Sequence, residues 1–314
     1  MKINQALLRS IVLGGALFQS TQALAAWGDS YISNIVGPSR IEIRTCAKFA
    51  GAICSLKWYG KEFVDTYDHG RELQSAAQFY FAPDDGVDKG ETYNPTEAGT
   101  KADGGGPTSS SVLQGLSAIG NVLQTQTQMA FYLAPGEFNQ RGYPVVNTTV
   151  LSNYVLNKKI TIGLPGIAHA IEYRTQFNIP TNEEPVRGTF ETVAAYLPSE
   201  FSRFYTYDVE GTKKLLEHSG EIGNGQNLPV IISTPNQIHA MGIYTPSSKQ
   251  AFQRRAIQNA RRFINVNKFN SVFRINDLPN SDNPDKQFHF VSYVIVGSLN
   301  NVRMTMDQLK HRFY

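Results

Sequence analysis

The chain has 314 residues, of which 29 are Lys or Arg and 26 are Asp or Glu, for a formal net charge of +3. A balance so near neutral gives little long-range attraction to phosphate backbones or anionic lipid, so nucleic acid is not an expected partner. Tyr and Phe are abundant (15 and 18) while charged residues make up only 18% of the chain, which favours sheet over helix bundle.

Residues 1–25 read as a cleavable leader. Lys2 and Arg9 precede the apolar run Ile11 to Phe18, and Ala23-Leu24-Ala25 supplies the small residues a signal peptidase needs. The run is too short to span a bilayer and no later stretch is apolar enough, so no integral membrane segment is expected after cleavage. The expected product is periplasmic or secreted, a single domain over residues 26–314 with 27 basic and 26 acidic groups. Its two cysteines, Cys46 and Cys54, flank the turn-like Ala47 to Gly51, and an exported chain favours their pairing as a disulfide. The spacing is not CxxC and no His lies near them in sequence, so neither a redox pair nor a metal site is expected.

Trp27 to Gly37 reads as an irregular lead-in. Arg40 to Thr45 alternates apolar and charged residues, the period-2 mark of a half-buried strand. Residues 52–58 and 61–65 extend it into a meander across the Tyr59-Gly60 turn. Residues 82–110, rich in Gly, Asp and Pro, are expected to form a loop at the edge of a cleft. Thr125 to Leu133 is a strand, and Asn147–Tyr154 is expected to pair with Lys158–Ile162 across a turn at Asn157-Lys158.

Ile167 to Phe177 predicts a long strand, with His169, Ile171 and Tyr173 on one face and Ala170, Glu172 and Arg174 on the other. Further strands are expected at Phe190–Leu197, Leu228–Ser233, His239–Tyr244, Phe269–Ile275 and Phe288–Leu299. Between them, Phe252, Ala256, Ala260, Phe263 and Ile264 fall at helical spacing within Lys249 to Ile264, edged by Arg254, Arg255, Arg261 and Arg262 as a solvated basic face. Asn301 to Phe313 spaces Val302, Met306 and Leu309 like a terminal helix packed on a sheet.

Two polar clusters hang on this scaffold, Asp68-His69-Gly70-Arg71-Glu72-Leu73-Gln74 and Glu91-Thr92-Tyr93-Asn94-Pro95-Thr96-Glu97. Sugar chemistry needs proton donors and acceptors that work near neutrality, with planar groups to hold hydroxyls. On that basis His69, Glu97, His169 and His239 are the candidate catalytic residues, and Arg71, Tyr93, Asn94, Glu172 and Arg274 the candidate substrate-binding ones. His218, His289 and His311 read as surface or packing residues. No nucleotide glycine loop, zinc-protease helix or serine-hydrolase elbow occurs, and Gly104-Gly105-Gly106 lacks the Lys-Ser/Thr of a phosphate loop. No cofactor is expected.

The run Gly51-Ala-Ile-Cys-Ser-Leu-Lys-Trp-Tyr-Gly-Lys-Glu-Phe-Val64, followed by Asp68-His-Gly-Arg71 and Leu73-Gln74, resembles the opening of galactose-mutarotase-like proteins. His239-Ala-Met-Gly-Ile-Tyr-Thr-Pro246 is similar to a later strand of that superfamily, and Asn94-Pro95 with Glu97-Ala-Gly99 to one of its polar loops. The likeness covers residues 40–105 and 228–299. It implies a mainly β fold, a supersandwich of large antiparallel sheets with few short helices and one concave polar face. It also implies a carbohydrate or glycan ligand and an epimerase-type or polysaccharide-lyase enzyme, with a non-catalytic glycan-binding or envelope protein as the alternative. The Asn-His-x-Tyr-x-Asn-Leu type motif of the mutarotases proper is missing, so plain aldose mutarotation is not implied.

Overall fold

A computed structural model describes residues 26–82, 85, 87, 89–223, 225–246, 256–278 and 286–313; the expected leader lies outside them. The first strands in chain order are β1 (Ser30–Val36), β2 (Ser39–Thr45), β3 (Ile53–Trp58), β4 (Lys61–Glu62), β5 (Leu73–Tyr80), β6 (Pro95–Thr96), β7 (Val112–Ile119), β8 (Val122–Phe131) and β9 (Leu151–Leu164). There follow β10 (Ile167–Asn178), β11 (Arg187–Pro198), β12 (Arg203–Tyr207), β13 (Leu215–His218), β14 (Val230–Ser233), β15 (Ala240–Tyr244), β16 (Ile257–Arg262), β17 (Val266–Ile275), β18 (Gln287–Gly297) and the helix α1 (Leu299–Phe313).

Antiparallel pairing sorts the strands into two sheets. The first runs β1–β2–β3–β5–β11–β17–β16, with β4 folded back on β3. The second runs β7–β8–β9–β10–β18–β15–β14–β12–β13. Short β6 pairs with both β5 and β8, so the two ladders join along one side. The protein is a mainly β sandwich of large antiparallel sheets, as the alternation along β2, β8, β10 and β18 predicts.

Three local expectations are corrected. The lead-in is a strand: β1 pairs with β2 over its whole length and buries Ile32 and Val36. No turn forms at Asn157-Lys158, because β9 runs straight through it, bonded to β8 on one side and β10 on the other. The helical spacing over 249–264 does not make a helix where the chain is described. Residues 249–255 lie outside the described residues, and Ile257–Arg262 forms β16, paired to β17. Long-range pairing there overrides a weak local period.

The space between the sheets is filled in two parts. Ile41, Ile43, Leu56, Ile160, Ile171, Val193, Phe269 and Val294 belong to one cluster, and Phe79, Phe177, Phe190, Phe273, Phe288 and Phe290 to the other. Each such side chain contributes about 1.5–3 kcal/mol on burial. A buried polar seam crosses the same interior. Ser75 Oγ donates to Thr192 O (2.8 Å), Thr192 Oγ1 to Ser271 O (3.3 Å), and Ser292 Oγ sits 3.4 Å from Thr192 Oγ1.

The outer face of the second sheet carries α1, which buries Val302, Met306 and Leu309 against Tyr205, Ile231, Tyr244 and Ile295 as its sequence spacing predicts. Gly242 allows that contact. A Cβ there would stand 2.6 Å from Met306 Cε and 2.8 Å from Val302 Cγ1. The disulfide Cys46–Cys54 forms, closing the loop before β3.

Candidate functional site

Sheet pleating puts alternate residues of β5, β11 and β17 on the outer face of the first sheet, and there they line a cleft of about 760 Å³. From β5 come Gln74, Ala76, Gln78 and Tyr80; from β11 Arg187, Thr189, Glu191, Ala194 and Tyr196; from β17 Lys268 and Arg274. Cross-strand register sets them in rows. Tyr80 faces Arg187; Gln78, Thr189 and Arg274 stand side by side; Tyr196 faces Lys268. Val87, Gly90, Glu91, Asn94, Thr96 and Tyr132 form a wall, so the described part of the polar loop edges a cleft as its composition predicts.

A bulge makes this face continuous. On β11, Glu191 pairs with Val272 but Val193 with Ser271, so one extra residue, Thr192, is inserted. The same insertion shows against β5. Before it odd-numbered residues face out, and after it even-numbered ones, which brings Glu191 and Tyr196 to one side.

The charges in the cleft are mutually oriented. Lys268 Nζ stands 3.4 Å from Glu191 Oε2 and 5.0 Å above the Tyr196 ring. Burial alone would lower the Lys268 pKa, but Glu191 and Tyr196 outweigh it and raise it, so the ammonium stays charged. The Tyr132 phenol is pushed up to about 12, by burial first and by the Glu91 charge second, and remains a donor. The Arg187 guanidinium lies over the Tyr80 ring at 4.1 Å. The Gln78 amide donates from Nε2 to Phe79 O (2.9 Å), while its Oε1 is buried without a partner among the described residues.

Of the nine sequence-predicted site residues, His69, Asn94 and Arg274 line this cleft. His69 is held tightly in the wall: Nδ1 lies 2.6 Å from Gly104 O and Nε2 2.8 Å from Lys48 O. Both nitrogens face carbonyl oxygens of the protein, so the ring is held by the wall on both edges. Asn94 Nδ2 donates to Ala77 O and fixes the loop to β5.

The other six lie elsewhere. Glu97 points into the sandwich and is wholly buried, accepting from Lys158 Nζ and from Ser75 N–H (3.1 Å). Burial raises its pKa and lowers that of Lys158, with the mutual attraction opposing both shifts. Arg71 pairs with Asp68 (3.3 Å) and Asp65 (3.9 Å) and fixes the turn. The Tyr93 hydroxyl donates to Glu183 (2.8 Å), as does that of Tyr154 (2.6 Å), inside the second core cluster.

Glu172 is on the outer face of the other sheet, bound by Arg174 through two contacts of 2.7 and 2.8 Å. His169 and His239 converge, but on Trp58, with ring centroids 5.5 and 5.9 Å from the indole. His169 Nδ1 donates to Val296 O (2.8 Å), and burial lowers the pKa of both imidazoles, aided at His239 by Lys61. These six side chains are taken up by packing and pairing contacts away from the cleft. The sequence reading held Gln74 in a polar cluster without naming it a site residue, and missed Gln78, Tyr80, Tyr132, Arg187, Glu191 and Lys268. The one available signal was the alternation of Arg187, Thr189 and Glu191 along 187–191.

No family model matches the chain, and no curated protein sequence matches it. Solved structures similar to it include the α-galactosidase from Lactobacillus brevis (8% identity, TM-score 0.46, covering 88% of this chain and 40% of that one). They also include the Slr1438 protein from Synechocystis sp. PCC 6803 (8%, 0.45, covering 88% of this chain and 99% of that one). A third is a candidate aldose 1-epimerase from Klebsiella pneumoniae (8%, 0.41, covering 91% and 92%). The chain therefore spans less than half the length of the galactosidase.

Proposed function

We propose that the chain binds a carbohydrate in the cleft over β5, β11 and β17. The observation that carries this reading is Gln78 Oε1, a buried acceptor in the cleft lining that has no partner among the described residues. A ligand hydroxyl is a donor of the matching kind, and an unmet buried acceptor costs about 1–3 kcal/mol. Around it stand planar amides and guanidinia, which hold hydroxyl pairs, and Tyr80, Tyr132 and Tyr196, which pack against sugar rings. The volume of about 760 Å³ suits an oligosaccharide segment.

A second reading, catalysis of the epimerase or lyase type, is favoured by the contact between Glu191 and Lys268. Glu191 is a carboxylate in the cleft that can take a proton, and Tyr132 is a phenol that can give one. The leader-like residues 1–25 and the disulfide favour export as the setting for either activity. Recovery of the chain with cytoplasmic markers on fractionation would refute that part.

Calorimetric titration of a glycan panel tests binding. Gln78→Ala and Arg274→Gln are expected to weaken the bound glycan about tenfold each. Absence of any ligand in the panel, or affinity indifferent to both substitutions, overturns the proposal. Glu191→Gln separates the readings: lost turnover with retained binding supports catalysis, and no turnover in the unmodified chain leaves binding alone.

A further inference from the structure

The second sheet has a concave outer face of its own, separate from the cleft, with a groove of about 570 Å³. Register places its side chains in two rows across β8, β9, β10 and β18. Gln126 faces Asn157, Asn157 faces Gln176, and Gln176 faces His289. One step along the strands, Gln124 faces Lys159 and Lys159 faces Arg174, with Ser117 opposite Gln124 on β7. Neighbouring strands are about 4.8 Å apart and same-face residues about 7 Å, so the rows form a regular grid at the scale of sugar rings.

The amide row is only partly engaged. Gln126 Nε2 donates to Asn157 Oδ1 (3.0 Å), and Gln176 Nε2 to Asn178 Oδ1 (2.8 Å) and Gln287 Oε1 (3.0 Å). Gln126 Oε1, Asn157 Nδ2 and Gln176 Oε1 have no hydrogen-bond partner among the described residues and remain for hydroxyls.

The second row holds an unusual pairing. Lys159 and Arg174 are directly opposite, a like-charge cross-strand pair, which is destabilising by itself. Glu172 compensates Arg174 and is held by Tyr293 as well (3.2 Å). Lys159 is exposed and has no anionic partner among the described residues. The imidazole of His289, also exposed, closes the amide row on the far side.

We propose that this groove is a second binding site, for an oligosaccharide bearing carboxylate or sulfate groups, whose charge is met by Lys159 and Arg174 and whose hydroxyls are met by the amide row. An anion set against Lys159 supplies the counter-charge that Glu172 already gives Arg174, which gives the pairing a use. The inference does not rest on the cleft, since the groove lies on the other sheet.

The test is calorimetric titration of the full chain with hexagalacturonate, its fully methyl-esterified form and a heparin-derived hexasaccharide. The first and third distinguish carboxylate from sulfate, and the ester keeps the hydroxyls but loses the charge. The expected result is binding of at least one anionic probe, weakened about tenfold by Lys159→Gln and again by Arg174→Gln, and weakened by added salt. The ester should bind at least about tenfold more weakly than the acid. Lys159 is exposed, so its substitution leaves folding intact, which far-UV circular dichroism checks. The cleft variant Arg274→Gln should leave this binding unchanged. Absence of binding by both anionic probes, equal binding of the ester, or loss in Arg274→Gln with retention in Lys159→Gln each overturns the proposal.

Discussion

Glu72, in the turn before β5, is 0% exposed, and neither carboxyl oxygen has a hydrogen-bond partner among the described residues. Burial pushes its pKa from 4.5 to about 9, opposed by the nearby backbone N–H of Glu72 itself and by Lys48, while Asp68 and Glu97 add to the rise. In the folded chain Glu72 therefore carries a proton over a pH range in which the unfolded chain does not. The folded state binds one more proton between about pH 4.5 and about pH 9, so stability is full below that window and falls as pH rises through it. Each pH unit corresponds to about 1.4 kcal/mol, which accumulates to about 4 kcal/mol between roughly pH 5 and pH 8.

Glu72→Gln removes the titration while keeping the size and polarity of the group. Its amide adds an unmet donor and hence a fixed offset of about 1–3 kcal/mol, but that offset does not vary with pH. The diagnostic is therefore a slope. Urea unfolding of both proteins across this range should show the variant gaining on the parent by about 1.4 kcal/mol per pH unit. A difference that stays flat with pH would show that Glu72 is ionised or solvated in the folded chain, and the argument from its burial would fail.

Two further substitutions examine the framework. Lys158→Met leaves the Glu97 carboxyl buried without its cation and should cost about 3–5 kcal/mol in urea unfolding, most of it recovered in the double variant Lys158→Met/Glu97→Gln. A double variant no more stable than the single one would mean that the pair is not coupled. Gly242→Val drives a side chain into Met306 and Val302 and should destabilise by about 1–3 kcal/mol, with α1 exchanging its amide protons faster than β18. Unchanged exchange in α1 would place the helix off the sheet.

The elements legible in the sequence are those whose burial follows polarity. β2, β8 and β18 alternate or run apolar, and α1 shows its stripe, because each buries one face against a core. β5 was hidden because all but its last residue are buried while Gln74, Ser75 and Gln78 are polar, so polarity does not report its position. Glu97 misled for a related reason: the cation that explains it is 61 residues away, and local sequence holds no trace of that pairing. His169 and His239 do meet, but they meet on Trp58, and spacing along the chain cannot say on which side of a sheet two strands approach.

The cleft depends most on Thr192. With unbroken alternation, Val193, Ala195 and Leu197 would share the outer face with Glu191, and Tyr196 would point into the core. The inserted residue reverses that phase, so apolar Val193, Ala195 and Leu197 go inward to the first core cluster and Tyr196 comes out beside Lys268. Thr192 stays buried, and its carbonyl accepts from Ser75 while its hydroxyl reaches Ser271 on the neighbouring strand. The polar seam thus holds the bulge in place from inside, and the bulge in turn brings Glu191, Tyr196 and Lys268 together outside. A threonine suits the position because its hydroxyl and backbone both find partners in an interior that would otherwise leave them unmet. Interior and cleft are in this sense one construction: the hydrogen bonds that settle the β11 register also decide which side chains a ligand meets.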